Sequence, residues 1–500
     1  MTNGDGFGWM RIVVVLGLLN CFYSYFLRYG PVFHWQHKMF GLYAQPLVGV
    51  YGTTEPGYEN LKTIMHKGLK NGEDLGSQFT AYVDGNLVAD IAGGFTTTHY
   101  KTRYRPYHLQ QVFSCSKFVT STVFLHLANT NRINLSDPIS KHWPEFSHGN
   151  KSHVTIQHLL QHRSGVAFLD KERIPTPEDL LNLDLLASKI AGQPHNFNGT
   201  QVSAYHAVTR GWYLNEIARR VTGLTVREIM YTEIMPLLNK NHPDSPFEFH
   251  YGIPDGPADL VESLGVRVAP LDSASYIYKI FHAIAPNSFL SLFGHLKVDP
   301  ALINAYFFKD TESSKSLIGS GPDFKGREAE FPWSYNDAVL RRSQSPSFNV
   351  LTNSRSLAWL AEVVRRSAEG GEAAMLAKEV YGFGYKENRV TEVDRVLLGN
   401  ITFTQCGMGV FRDGFGPSKA GAGVEFVGWT GAGGSVVFFS EEFGISLSFT
   451  PNFMEFQAVG DQRSWRLIEE LVRVVKEKRS KKSIETGEKH KDEDSGRDEL

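Results

Sequence analysis

The sequence predicts an α/β (α+β) fold in which one antiparallel sheet is built from both ends of the chain. Terminal helices flank that sheet, and a mainly helical lobe is inserted into it. Three observations predict this. Residues 78–83 and 87–91 read as two strands joined at the tight turn Asp84-Gly85-Asn86, and Gly93-Gly94 closes the hairpin. Residues 405–450 return to strand character in four apolar runs, at 407–410, 424–427, 435–439 and 445–449. Between these two regions the apolar residues keep helical spacing, as at Phe118, Val119, Val123, Leu125 and Leu127.

The chain has 500 residues, 42% of them hydrophobic, which is enough for one large domain or two lobes around a substantial core. A formal net charge of −2 gives no indication of nucleic-acid binding. Three cysteines, Cys21, Cys115 and Cys406, make no disulfide framework, and a single Cys115–Cys406 bridge stays open as an alternative.

Taken in order, residues 12–27 form an apolar run between Arg11 and Arg28. No small-x-small cleavage site follows it. An uncleaved signal anchor, giving a single-pass membrane protein, is therefore expected over a cleaved signal and a soluble lumenal protein. Residues 1–45 are assigned to this anchor and its stem. A helix is expected over 58–70, before the hairpin. After the helix that begins at Ser114, a short helix ends at Gly165, and two or three helices fill 177–235. Residues 240–345 are rich in Pro and Gly and read as irregular, with a helical patch near 272–285. A helix over 354–368 is followed by about thirty residues of loop, then by the late strands and an amphipathic helix over 462–478. The catalytic domain is thus placed at 46–478, with a sheet lobe at about 46–110 and 400–478 and a helical lobe at about 111–399. Residues 479–500 are charged and expected to be disordered.

The last four residues, Arg497-Asp498-Glu499-Leu500, are similar to the KDEL retrieval signal. They point to a retrieval receptor in the endoplasmic reticulum and a lumenal catalytic domain. Sequons at Asn134, Asn150, Asn198 and Asn400 agree with that placement as glycosylation candidates.

Three stretches carry chemistry. In Ser114-Cys115-Ser116-Lys117 the Ser and the Lys lie one helical turn apart on one face, at the N-terminus of an apolar helix. A serine hydroxyl needs a base, and a lysine with a lowered pKa can be that base. Tyr205 ends a loop that leads into a helix over 213–221, and can present its phenol to a cleft. Beside a lysine ammonium it would ionise and accept the serine proton. Last, Trp429-Thr430-Gly431-Ala432-Gly433-Gly434-Ser435 places repeated glycines in a strand, a mark of close backbone approach. The Ala432 N–H is a candidate to pair with that of Ser114 as an oxyanion hole.

The order S-x-x-K, Tyr, late Gly-rich strand resembles the serine β-lactamase and penicillin-binding-protein superfamily. The resemblance runs over about residues 45–475. Within the superfamily the chain is most similar to class C β-lactamases, family VIII carboxylesterases and the animal, notably nematode, β-lactamase domain-containing proteins. It implies a β-lactamase/transpeptidase-like fold, with Ser114 as acyl-accepting nucleophile, Lys117 as base or proton relay and Tyr205 as second base. It implies no metal and no organic cofactor. Two departures bear on the substrate. Ala207 stands where the Tyr motif usually has Asn or Ser, and Trp429 stands where the late motif commonly opens with Lys or His. Without that cation the site is poorly suited to a carboxylate-bearing β-lactam or peptide, which favours a neutral ester or amide. Trp429, Thr430 and Gly431 are accordingly candidates for substrate contact.

The expected activity is hydrolysis of a small ester or amide through an acyl-Ser114 intermediate, carboxylesterase-like rather than β-lactamase. The alternatives are an inactive structural or self-assembling protein on the same fold, or a transacylase or peptidase. His206 and Asn349 are further candidates for the cleft. His158, His162 and His206 lack the spacing of a metal site.

Overall fold

The computed structural model describes residues 5–24, 30, 32–33, 35–40, 47–240, 242, 246–253, 265–266, 301, 304–305, 308–324, 336–371, 374–415, 419–454 and 460–495. Thirteen strands are formed in chain order: β1 (Val50–Thr54), β2 (Gly76–Val83), β3 (Asn86–Gly94), β4 (Leu109–Gln111), β5 (Phe249–Tyr251), β6 (Gly265–Val266), β7 (Val350–Thr352), β8 (Val390–Val393), β9 (Asn400–Phe403), β10 (Gly409–Phe411), β11 (Phe426–Thr430), β12 (Val436–Ser440) and β13 (Ile445–Pro451). Nine of them make one antiparallel sheet in the order β1-β3-β2-β13-β12-β11-β10-β9-β8. The two ends of the chain meet where β2 pairs with β13, with Phe79 opposite Phe449. The sheet is therefore assembled from both termini, as the two strand regions of the sequence predict.

Six longer helices are α1 (Asp5–Tyr23), α2 (Asn60–Lys70), α3 (Ser116–Asn129), α4 (Thr209–Thr222), α5 (Ser354–Arg366) and α6 (Gln462–Ser495). On one face of the sheet, Leu61, Met65 and Leu69 of α2 and Leu467, Ile468 and Leu471 of α6 bury against Phe79, Ile91, Phe438 and Phe449. On the other face, Phe439 and Val437 join the core of the helical lobe. Because the sheet is covered on both faces, its central strands β2, β12 and β13 are almost wholly buried. Residues Ser116 to Leu127 of α3 are buried on every side, as an apolar helix without a polar face must be.

Several expectations need correction. The thirty residues after α5 are not a loop. They hold a short helix (Lys378–Tyr381), a π-type turn (Gly382–Lys386) and the edge strand β8. A second sheet, β5-β7-β4-β6, was not anticipated, because strands of two or three residues are too short to show a period. Where a disordered tail is expected from residue 479, α6 continues to Ser495. Its charges include i,i+4 pairs such as Arg473–Glu477, which favour a helix as much as they favour solvent. The helical patch near 272–285 and the last four residues lie outside the described residues.

Cys115 and Cys406 are free and buried, so no bridge joins them. Helix α1 leaves Trp9, Val13, Leu16, Leu18 and Leu19 exposed. Among the described residues no helix is long and apolar enough to cross a membrane. Asn20 and Ser24 dilute the run on which the single-span expectation rests. Asn134, Asn150, Asn198 and Asn400 are all exposed.

Candidate active site

The small sheet delivers Ser114. Strand β4 is pinned by β7, with Gln111 opposite Leu351, and the chain then enters a single 3₁₀ turn, Phe113–Cys115, ahead of α3. Phe113 takes φ +46°, a left-handed conformation that costs a bulky residue free energy and makes the turn sharp. Three contacts hold it: Val112 N–H donates to Val350 O (3.0 Å), Val350 N–H to Ser116 Oγ (3.1 Å), and Ser435 Oγ to Val112 O (2.9 Å). Ser114 is consequently the one partly exposed residue between Gln110 and Leu127.

Lys117 is fully buried, and its Nζ lies 3.1 Å from Ser114 Oγ. Its other partners are main-chain carbonyls, Ala207 O at 2.7 Å and Ser347 O at 3.1 Å. Burial pushes its pKa well below the usual lysine value, and the nearby Arg210 charge adds to this. The departure at Ala207 therefore does not unhook Lys117, because the main-chain carbonyl there takes one of the ammonium-type hydrogen bonds.

Tyr205 closes the group. Its hydroxyl is hydrogen-bonded to Ser114 and accepts a hydrogen bond from Trp429 Nε1 at 3.0 Å. Its backbone is held from two sides: its N–H donates to Asp394 Oδ1 (3.1 Å), and Ser316 Oγ donates to its carbonyl (2.7 Å). Asp394 is buried in the β8–β9 connection and also receives Ser203 Oγ and the N–H groups of Val396 and Leu397. Burial pushes the Tyr205 phenol up to about 12, against the hydrogen bonds from Ser114 and Trp429. The expectation of a phenolate is therefore corrected. With Lys117 held below its usual range, no ammonium stands by to stabilise one, and Tyr205 is a neutral phenol that can donate its proton.

The Gly-rich strand abuts the Ser114 turn. A Cβ on Gly431 would lie 2.3 Å from both Val112 O and Ser435 Oγ, so only glycine lets β11 end against the Ser114 turn. Thr430 is buried at the end of β11, and Ala432 is exposed just beyond it. Behind this turn, Arg463 Nη2 donates to Gly433 O (2.7 Å) from a buried network with Asp74 and Asp461. Trp429 is buried and commits its single donor to Tyr205, leaving it none for a substrate carboxylate.

Two candidates face elsewhere. His206 is buried, not in the cleft. Its Nδ1–H donates to Ala204 O (2.6 Å) and its Nε2 accepts from Ser164 Oγ (2.8 Å), while burial pushes its pKa down to about 3. It ties the Tyr205 segment to the turn ending at Gly165. Asn349 points away from Lys117, its Nδ2 donating to Leu340 O and Ser343 O, and its neighbour Ser347 supplies the carbonyl to the site. Residues missed from sequence are Asp394, Arg210 and the site role of His162, whose ring packs 4.7 Å from that of Tyr205. His162 takes a left-handed φ of +64°, and of this constrained turn only Arg163-Ser164-Gly165 was visible in the sequence. Among the described residues no group of three or more His, Cys, Asp or Glu is placed to hold a metal ion.

The chain as a whole has counterparts. The family model described as Beta-lactamase matches residues 61–470. Esterase/beta-lactamase LipL of Mycobacterium tuberculosis is 24% identical over 404 residues, 81% of this chain and 83% of that protein. A penicillin-binding protein homolog from Caulobacter crescentus superposes with a TM-score of 0.65 at 23% identity, over 85% of this chain and 100% of that one. A family VIII carboxylesterase gives 0.66 at 20% identity, again over 85% and 100%.

Proposed function

Because the chain belongs to the β-lactamase family and shares its transpeptidase-like fold, we propose that it is a serine hydrolase that cleaves a neutral ester or amide through an acyl-Ser114 intermediate. The observation that carries this reading is Ser114 Oγ lying 3.1 Å from a buried Lys117 held otherwise by carbonyls alone. In the first half-reaction Ser114 Oγ attacks the carbonyl carbon and Lys117 takes its proton. The N–H groups of Ser114 and Ala432 receive the oxyanion. Tyr205 hands a proton to the leaving oxygen or nitrogen, and the proton gained by Lys117 makes good the loss. Water then attacks the acyl carbon along the reverse path and frees the acid. The indole of Trp429, spent on Tyr205, favours an uncharged acyl group.

Short-chain p-nitrophenyl esters and a β-lactam, offered to the full chain and followed by intact mass, test this. Ester turnover with an acyl adduct, both abolished in Ser114→Ala, is the expected result. Turnover confined to the β-lactam would overturn the neutral-substrate reading, and no turnover or adduct from a folded protein would overturn the hydrolase.

The exposed apolar side chains of α1 further support attachment to a membrane, and the four exposed sequons support a lumenal catalytic domain. In cells, the full chain is expected to sediment with membranes and to shift in mobility after glycosidase treatment. A chain lacking residues 1–45 should do neither. A full chain that is soluble and unshifted would contradict both assignments.

A further inference from the structure

Arg210 lies in the first turn of α4, five positions after Tyr205, and points inward. It is fully buried. Its Nε donates to Leu160 O (3.2 Å), and one terminal nitrogen donates to Ser121 Oγ (2.7 Å) and Cys406 O (3.1 Å). The other terminal nitrogen has no hydrogen-bond partner among the described residues, and no carboxylate pairs with the group. A guanidinium does not shed its proton near neutrality. Burying a cation without a counter-ion is costly, so such an arginine needs a reason beyond bridging three carbonyl and hydroxyl oxygens.

We infer that Arg210 is a positioning residue for catalysis: an uncompensated buried cation, hydrogen-bonded to Ser121 one turn along α3 from Lys117, that favours the neutral, proton-accepting form of Lys117. The inference rests on the hydrolase reading and names the charge that adds to burial in keeping its base unprotonated.

The surroundings of Lys117 supply no opposing charge. On its own helix and the turn before it stand Ser114, Cys115 and Ser116, and burial holds the Cys115 thiol up at about 12. From the Tyr205 segment come Tyr205 itself, a neutral phenol, and His206, a neutral imidazole. His162, under the Tyr205 ring, is pushed well below its usual value by burial. The segment before β7 offers only the Ser347 carbonyl, and β11 only the Trp429 indole. Arg210 is thus the one fixed charge of the cluster among the described residues. Repulsion between two buried cations makes protonation of Lys117 unfavourable even though its carbonyl partners would welcome it.

A fluorophosphonate tests this without knowledge of the natural substrate. Ser114 Oγ forms a bond to phosphorus, fluoride leaves, and the serine proton passes to Lys117. The rate of adduct formation, read by intact mass from pH 5 to 10, falls on the acid side where Lys117 becomes protonated. In Arg210→Met and Arg210→Gln this acid limb should move up by about one pH unit or more, slowing labelling at the foot of the limb on the order of tenfold. Gln keeps a donor for the neighbouring carbonyls, so it serves where Met fails to fold. Arg210→Lys, which keeps a charge, should leave the limb nearer its original place. A limb that stays put in the Met and Gln variants, moves as far in Lys, or lies near the ordinary lysine value in the wild type overturns the inference and leaves the hydrolase standing. A wild-type protein that is never labelled, at any pH, removes both.

Discussion

Replacing Lys117 by Met is expected to lower ester turnover on the order of 10⁴-fold, because it removes the only base in contact with the Ser114 hydroxyl among the described residues. Tyr205 cannot stand in. Its phenol is pushed up to about 12 and is un-ionised at neutral pH. Lys117→Arg should be as inactive as Lys117→Met, since a guanidinium stays charged and takes no proton. The same substitution should also cost stability. Lys117 Nζ satisfies the buried carbonyls of Ala207 and Ser347, and Met leaves both without a donor, a loss of about 1–3 kcal/mol. Turnover of p-nitrophenyl esters and denaturant midpoints measure the two effects. Activity within tenfold of wild type in either variant would mean that another group takes the Ser114 proton.

Stability is expected to climb as pH rises from about 7 to 9, a range in which the paired surface carboxylates are ionised in both states and contribute no slope. Two buried lysines cause it. Lys117 is held well below the lysine range by burial. Lys151, whose Nζ donates to Ala191 O and Gln193 O behind the helix Leu183–Ala191, is pushed down to about 7, again by burial. In this window both lysines are protonated in the unfolded chain, whereas the folded protein carries Lys117 neutral and Lys151 increasingly so. The unfolded state then binds more protons, and stability rises with pH by about 1.4 kcal/mol per unit for each proton of difference. Above about 9 the rise flattens, because the thiols of Cys115 and Cys406, held up at about 12 and 11, stay protonated in the folded state while the unfolded chain releases theirs. Urea midpoints at pH 7, 8 and 9 give the slope, and Lys151→Met should flatten it. A flat or falling wild-type curve would show that both lysines are protonated when folded.

The parts legible in the sequence are those where one short stretch carries its own geometry. Ser114 and Lys117 sit one turn apart on an apolar helix, and the hairpin at Asp84-Gly85-Asn86 needs no distant partner to be read. The sheet built from both ends was legible for the same reason, since each end has its own strand pattern. What stayed hidden depends on contacts across the fold. Nothing local marks Asp394 as the acceptor for the Tyr205 backbone, or Arg210 as buried without a carboxylate, because Asp and Arg on short elements read as solvent-facing. Asn349 and His206 were drawn into the cleft by their neighbours in sequence, whereas their hydrogen bonds turn them into the scaffold. The protonation of Tyr205 was misread because it follows from the state of Lys117, and that state depends on how deeply α3 is buried.

The pairing of β2 with β13 also sets a timetable for the newborn chain. Strands β1 to β3 and α2 leave the ribosome early, yet Gly76–Val83 stays an unpaired, largely apolar edge until Ile445–Pro451 is made. Closing so long a loop is slow, and an open edge of this kind is the usual starting point for aggregation. The nucleophile's turn waits for the same event, since its brace, Ser435, lies on the late side of the chain. The Ser114 turn is therefore braced only once Ser435 and β13 have been made, and a chain stopped short of β13 leaves that edge open and free to pair with another chain.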